Sequence, residues 1–296
     1  MGPILITGAG GVLGLALAGA AAPGGPWRIA GRRRPAFWPA AVPFDSLDLA
    51  TAGALGELVR RLRPRAVLHA AAVTKVAEAE ADPAACERVN VAAVAELVEA
   101  AEVCGAAVVL VSTDMVFDGH GGPYTEADPV DAVSVYGRTK AAGEAVLLPA
   151  GHTVARVPLL LGGDAGPGRR GADSALLAAL AAGERPALFR DEMRVPVAAE
   201  LAAEALVELV RRAARGDAPG GVFHLVGGEA VDRHTLGRRI CAAAGVAPAF
   251  DAASVAELAP ARPRRLVLGC ERARRELGWE APDLRQSLAR RFPTAP

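Results

Sequence analysis

Pro3-Ile4-Leu5-Ile6-Thr7-Gly8-Ala9-Gly10-Gly11-Val12-Leu13-Gly14 stands near the amino terminus, and its reading decides the fold. The apolar run Pro3 to Ile6 suits a short strand covered on both faces in a parallel sheet. The glycines that follow let the backbone turn sharply, and Val12 to Ala22 reads as the next helix. A pyrophosphate at that helix start meets free N–H groups and the positive end of the helix dipole. A glycine-rich turn directly between strand and helix is the context that a dinucleotide-binding loop requires. Gly8, Gly11, Val12, Leu13 and Gly14 are therefore candidate cofactor-binding residues.

Further along, Trp27 to Ala30 predicts a second strand that ends beside the adenosine ribose. NAD-selective enzymes commonly place an acid there, whereas a basic residue accommodates a 2′-phosphate. Here the chain reads Gly31-Arg32-Arg33-Arg34, and its first acid is Asp45. Arg32 and Arg33 thus predict NADP(H) in preference to NAD(H). Asp48 and Leu49 follow a third short strand and are expected to flank the adenine. Thr51 to Leu62 reads as an amphipathic helix. Arg65 to Ala72 reads as a strand running into a small-residue turn, where Ala70, Ala71 and Ala72 allow the cofactor close approach. Pro83 opens a long helix through Asn90 to about Cys104, and Ala107 to Val111 is another apolar strand. This alternation predicts an α/β fold, a Rossmann-type doubly wound parallel sheet with ligands beyond the strands' carboxyl ends. Ser112, Thr113 and Asp114 emerge there. His69 ends a strand nearby, but a lone histidine among small residues reads as structural.

The stretch Ser134-Val135-Tyr136-Gly137-Arg138-Thr139-Lys140 leads into a helix-forming run to Leu148. With Tyr136 opening that helix, Lys140 lies one turn on, on the same face. A tyrosine ordinarily titrates near pH ~10, and a neighbouring cation lowers that value. The pair suits reversible protonation of a carbonyl oxygen.

With 296 residues, the chain is long enough for one α/β body with a smaller lobe. Residues 1–158 are expected to form the dinucleotide-binding domain, completed by parts of 186–226, with 159–296 mainly a substrate-binding lobe. The net charge is zero and no long run of one sign occurs, which excludes nucleic acid and an anionic membrane as expected partners. The four cysteines, Cys86, Cys104, Cys241 and Cys270, have neither C-x-x-C pairing nor histidines at ligand spacing. They read as thiols in a reducing compartment, and no metal site is legible. Gly2 to Trp27 carries no charge before Arg28, and Ala20-Ala21-Ala22 resembles a signal-peptidase site. The run lacks a basic start and is interrupted by glycine and proline, so the expectation is a cytoplasmic protein.

Beyond Pro158 the pattern loosens. Gly162 to Gly171 reads as a flexible loop, and Asp173 to Ala182 and Val197 to Arg212 as helices. Val222 to Val226 reads as a strand, and Arg233 to Ala244 as a helix with Asp232 at its cap. Arg190, Arg194, Arg262, Arg264 and Arg265 offer cations for a nucleotide diphosphate.

As a set, the motifs resemble the extended short-chain dehydrogenase/reductases, and among them the dTDP-4-dehydrorhamnose reductase family. The carrying residues are Thr7 to Gly14, His69-Ala70-Ala71-Ala72-Val73-Thr74, Val89-Asn90 and Val111-Ser112-Thr113-Asp114-Met115-Val116-Phe117-Asp118-Gly119. Tyr124-Thr125-Glu126, Tyr136 to Lys140 and Gly143-Glu144 complete them, with a weaker continuation in Arg194-Val195-Pro196-Val197, Gly221 to Leu225 and Arg262-Pro263. The resemblance implies a catalytic Thr113, Tyr136 and Lys140. Tyr136 would protonate a ketone as hydride arrives, Lys140 would hold the nicotinamide ribose and depress the tyrosine pKa, and Thr113 would hydrogen-bond the substrate oxygen. It adds Asn90 to the cofactor-binding set, and Thr74, Ser112, Met115, Arg194 and Arg262 as substrate-binding residues.

Two departures bear on the sugar. Met115 stands where that family usually has tyrosine, and Leu159 or Leu160 where an aromatic often follows the strand near Arg156. The expected substrate is a small-molecule nucleotide sugar, without the sugar being named. Dehydratases of the superfamily carry an Asp-Glu pair after the threonine, and Met115 after Asp114 has no proton to exchange. Epimerases run somewhat longer and keep NAD bound, which the triple arginine opposes. A non-catalytic NADP(H)-binding regulatory subunit, like that of methionine adenosyltransferase, is the reading from another class. The helix face around Ala92 to Ala101 suits either a homodimer contact or packing on the sheet.

Overall fold

The computed structural model describes residues 2–21, 25–163, 171–257 and 262–293. Its first half alternates β1 (Ile4–Thr7), α1 (Val12–Ala20), β2 (Trp27–Gly31), β3 (Phe44–Ser46), α2 (Ala54–Leu62) and β4 (Ala66–His69). The short helices α3 (Val76–Ala81) and α4 (Pro83–Glu87) precede a π turn at Arg88–Ala92, and α5 (Ala93–Cys104), β5 (Ala107–Thr113), α6 (Val135–Leu147) and β6 (Thr153–Val157) follow. The second half contributes β7 (Leu160–Leu161), α7 (Ala172–Ala181), β8 (Ala187–Phe189), β9 (Met193–Arg194), β10 (Val197–Ala198) and α8 (Ala199–Ala214). It ends with β11 (Gly221–His224), β12 (Val231–Asp232), α9 (Arg233–Ala244), β13 (Asp251–Ala253), α10 (Glu271–Leu277) and α11 (Leu284–Arg291).

The central sheet has the order β11-β6-β5-β4-β1-β2-β3 and is parallel throughout. The order reverses at β1, which pairs with β2 on one side and β4 on the other, so a crevice opens beyond the carboxyl ends of β1 and β4. Strand parity explains the two cores. Ile4 and Ile6 pack with Leu206, Leu209 and Val210 of α8 on one face, while Leu5 packs with Leu55 and Val59 of α2 and Leu97 of α5 on the other. A strand that buries both faces has no polar alternation, which is why its sequence reads as an unbroken apolar run. A separate cluster of Leu161, Leu176, Leu236, Ile240, Leu284 and Leu288 forms the core of the smaller lobe.

The expected Rossmann-type doubly wound sheet is therefore present, with several local differences. The first helix ends at Ala20, and the predicted end at Ala22 lies outside the described residues. The helix expected from Thr51 starts at Ala54, because Gly53 before it has φ +79°, in the left-handed region. The long helix from Pro83 is broken by the π turn that carries Asn90. The helix expected from Val197 begins at Ala199, since Val197 and Ala198 pair with Leu160 and Leu161 instead. Most of the loop read from Gly162 to Gly171 lies outside the described residues. On α5, Val94, Leu97, Val98 and Ala101 are buried in the core, so that face packs inward.

Candidate active site

Two elements meet at the carboxyl edge of the sheet. Thr113 is the last residue of β5. Ser134 caps α6, its hydroxyl accepting from the Gly137 N–H at 3.1 Å, and this sets the helical phase that turns Tyr136 and Lys140 inward. Close approach needs a glycine next to the tyrosine, since a Cβ on Gly137 would lie 2.1 Å from the Met115 carbonyl oxygen. Thr113 and Tyr136 are both buried at this edge, and the Thr113 hydroxyl donates to Asp114 Oδ1 at 3.1 Å. Burial raises the tyrosine pKa, the neighbouring Thr113 hydroxyl lowers it in part, and the nearby Asp114 and Cys86 raise it further. Lys140 donates to the Val111 carbonyl at 2.8 Å, and burial pushes its pKa down to about 8. The expected tuning of the phenol by this ammonium is not what the structure shows. Desolvation governs Tyr136, which keeps its proton through the neutral range.

The glycine turn lies alongside. Gly8 has φ +74°, and a Cβ there would be 2.6 Å from the Ala70 carbonyl carbon and the Ala71 nitrogen, so the turns after β1 and β4 close on each other. Thr7 joins them too, bonding His69 Nδ1 at 2.9 Å and accepting from the Ala71 N–H at 3.3 Å. Burial pushes His69 down to about 3, so this histidine is neutral. Trp38, which the sequence reading did not single out, donates its indole N–H to the Ala9 carbonyl at 3.0 Å and supports the turn from beneath. Gly11 precedes α1 without a side-chain cap, so Val12, Leu13 and Gly14 open a helix whose first N–H groups face the crevice edge. Ala70, Ala71 and Ala72 line it with small half-buried side chains. This cradle fits a dinucleotide pyrophosphate.

At the end of β2, Arg32 and Arg33 are exposed, with no side-chain partner among the described residues. Arg34 is occupied, donating to the carbonyls of Val42 and Pro39 at 2.8 Å each. Asp45 is taken up by Arg28 and Arg61. Asp48 is exposed and accepts from the Ala50 N–H, whereas Leu49 is buried in the core with Leu47 and Leu55. The Asn90 amide is committed to protein: its oxygen accepts from the Val73 N–H at 2.9 Å, and its nitrogen donates to the Val73 carbonyl and the Thr139 hydroxyl, each at 3.1 Å. It holds the loop after β4 against α6, so its expected place among the cofactor contacts becomes a supporting one.

On the substrate side the expected residues separate. Ser112 faces away from Thr113, as alternation along a strand demands, and donates to Glu144. Glu144 pairs with Arg156 at 2.6 Å, and Arg156 reaches His224 at 3.3 Å, a buried network beneath the site. The reading of Ser112 as a substrate contact is thereby corrected. Met115 is half-buried and Thr74 exposed. Arg262 is exposed at the edge of a segment outside the described residues. Arg194 is buried, held by Glu192 at 2.9 Å and 3.6 Å from Asp114, far from the solvated position that a diphosphate clamp would take.

A doubly wound sheet with an interleaved smaller lobe defines the fold of the extended short-chain dehydrogenase/reductases. The chain belongs to the RmlD substrate binding domain family, whose pattern matches residues 1–294. It is similar to a dTDP-4-dehydrorhamnose reductase of Streptomyces griseus, 33% identical over 98% of this chain and 92% of the relative. Against several other proteins of that name, the match spans 60–62% of the relative's length. The methionine adenosyltransferase 2 subunit beta of Rattus norvegicus is 34% identical over 54% of this chain and 47% of its own. In structure, the chain is similar to dTDP-4-dehydrorhamnose reductase from Bacillus anthracis str. Ames in complex with NADP, with TM-score 0.83, 21% identity and full coverage of both chains.

Proposed function

We propose that the protein reduces a keto group on a nucleotide-activated deoxysugar, dTDP-linked, with NADPH preferred over NADH. The observation that carries this reading is the convergence of buried Thr113, Tyr136 and Lys140 at the carboxyl edge of the sheet, with Lys140 bonded to the Val111 carbonyl at 2.8 Å. The glycine cradle, with Ala70 to Ala72, would hold the pyrophosphate, and Arg32 and Arg33 the 2′-phosphate. Bound NADPH would supply the hydride.

Tyr136, neutral at physiological pH because it is buried, gives its phenolic proton to the ketone oxygen and so completes the alcohol. The Thr113 hydroxyl orients that oxygen. Lys140 is poised near pH 8, close enough to neutrality to help restore the phenol's proton. Residues 1–158, with β11 added to the same sheet, act as the dinucleotide-binding part, and the smaller lobe holds the sugar nucleotide. The setting is cytoplasmic, and among the described residues no helix is long and apolar enough to cross a membrane.

The test follows reduced-nicotinamide consumption with dTDP-4-keto-6-deoxyglucose, for wild type and Tyr136→Phe, with NADPH and NADH in parallel. The expected result is NADPH-dependent turnover that collapses in the variant while NADPH binding persists. NADPH binding without turnover in wild type would favour the regulatory-subunit reading, which the similarity to the methionine adenosyltransferase subunit keeps in view.

A further inference from the structure

Arg291, the last residue of α11, commits each nitrogen of its guanidinium to a different part of the chain. Nε donates to Asp173 Oδ2 at 2.9 Å, Nη1 to Glu200 Oε1 at 2.8 Å and Nη2 to the Gly163 carbonyl at 3.0 Å. Asp173 is in the first turn of α7, Glu200 in the first turn of α8, and Gly163 follows β7. The planar fork of an arginine can hold three such acceptors in fixed relative positions, which a lysine ammonium on its flexible stem does poorly. The Asp173 side chain is 1% exposed and that of Arg291 19%, so this ion pair is largely shielded from water.

What the three bonds hold in place is one peptide. The second Asp173 oxygen, Oδ1, accepts from the Gly162 N–H at 2.7 Å, while the Gly162 carbonyl accepts from the Ser174 hydroxyl at 2.7 Å and the Gly171 N–H at 2.9 Å. Both polar backbone groups of Gly162 are thereby fixed. Its φ of +141° favours glycine, and a Cβ there would lie 2.9 Å from Ala199 Cβ and 3.8 Å from Val12 Cγ1. Gly162 is therefore wedged between the start of α8 and the start of α1, the helix that opens on the pyrophosphate cradle. The chain reaches it from β6 through β7, and β6 neighbours β5, which carries Thr113; the arginines after β2 lie across β1 on the other side. With the 2′-phosphate beside β2 and the pyrophosphate at α1, the nicotinamide runs toward β5, so Gly162 abuts α1 on the nicotinamide side.

We infer that Arg291 is a positioning residue for the nicotinamide half of the cofactor site, acting through Asp173 and Gly163 to fix the Gly162 peptide against the start of α1. Leu176 of α7 and Leu284 and Leu288 of α11 belong to the core of the smaller lobe, so the same guanidinium fastens that lobe to the dinucleotide-binding part. The inference rests on the dinucleotide reading and adds to it a residue outside the glycine cradle.

The test compares dissociation constants, by calorimetric titration, for NADPH and for adenosine 2′,5′-bisphosphate, which carries the adenosine and the 2′-phosphate without the nicotinamide. Wild type, Arg291→Met, Arg291→Lys and Gly162→Ala are measured in parallel. Arg291→Met should weaken NADPH about 10- to 100-fold and leave the bisphosphate within a factor of ~2, with Arg291→Lys between wild type and Met. Gly162→Ala should reproduce the selective loss, because its methyl displaces the same peptide. A role in general stability alone would weaken both ligands alike. That result, or unchanged NADPH affinity in Arg291→Met, would overturn the inference and leave the cofactor reading standing. Should Arg291→Met not fold, Arg291→Lys and Gly162→Ala decide the matter by the same comparison. Absence of NADPH binding in wild type would overturn the cofactor reading and this inference with it.

Discussion

Thr113, the last residue of β5, and Tyr136, in the first turn of α6, are buried neighbours, and Thr113 lowers the phenol's pKa. Their approach depends on how closely the helix meets the strand, and Gly137 is the contact point, with room for a hydrogen but not a methyl against the Met115 carbonyl. Gly137→Ala should push α6 outward and part the pair. The expected outcome is a loss of turnover of at least ~100-fold with an intact cofactor fold, since misplacement of a reacting group by about 1 Å has that effect. Steady-state kinetics beside NADPH-binding titration check it.

Lys140 gives the protein a distinctive alkaline response. Its folded pKa is about 8, against an ordinary 10.5, because burial disfavours the ammonium. Between those values the unfolded chain holds a proton that the folded chain has released, so this group makes stability rise as pH climbs through the window. The full span is on the order of 3 kcal/mol. Lys140→Met lacks the effect, so its stability relative to wild type should fall between pH ~7.5 and ~10.5. Urea unfolding of both proteins across that range measures it, and parallel curves would refute the assignment.

Arg32 and Arg33 are the exposed cations at the end of β2, while Asp45 is neutralised by Arg28 and Arg61. Replacing both arginines with alanine removes charge-assisted contacts to a 2′-phosphate. NADPH affinity should fall about 10- to 100-fold while NADH affinity stays within a factor of ~2. Equal losses for the two cofactors would show that these arginines do not read the phosphate.

Glu144 and Arg156 are 3% and 4% exposed and 2.6 Å apart. Glu144→Ala leaves a buried guanidinium beside His224, which burial and Arg156 already push down to about 3. Removing one partner of a buried ion pair costs about 3 to 5 kcal/mol, and chemical denaturation should register a loss of that size. The Ser112 hydroxyl loses its acceptor in the same variant, so the end of β5 loosens as well.

The sequence by itself determined the parallel sheet, the glycine turn and the shared helical face of Tyr136 and Lys140, because each is written in local pattern. A strand buried on both faces is an apolar run, a phosphate turn needs glycines at fixed offsets, and a helix brings residues four apart onto one face. Tertiary structure alone decided what the polar side chains near that pair do. Ser112 turned to Glu144, Asn90 to Val73 and Thr139, and Leu49 into the core, each by packing between segments far apart in the chain. The phenol's pKa was beyond sequence reading for the same reason, since desolvation depends on everything folded around Tyr136 and not on the lysine one turn away. The Asp114–Arg194 ion pair at 3.6 Å joins β9 to the residue just after β5, and no local spacing announces it.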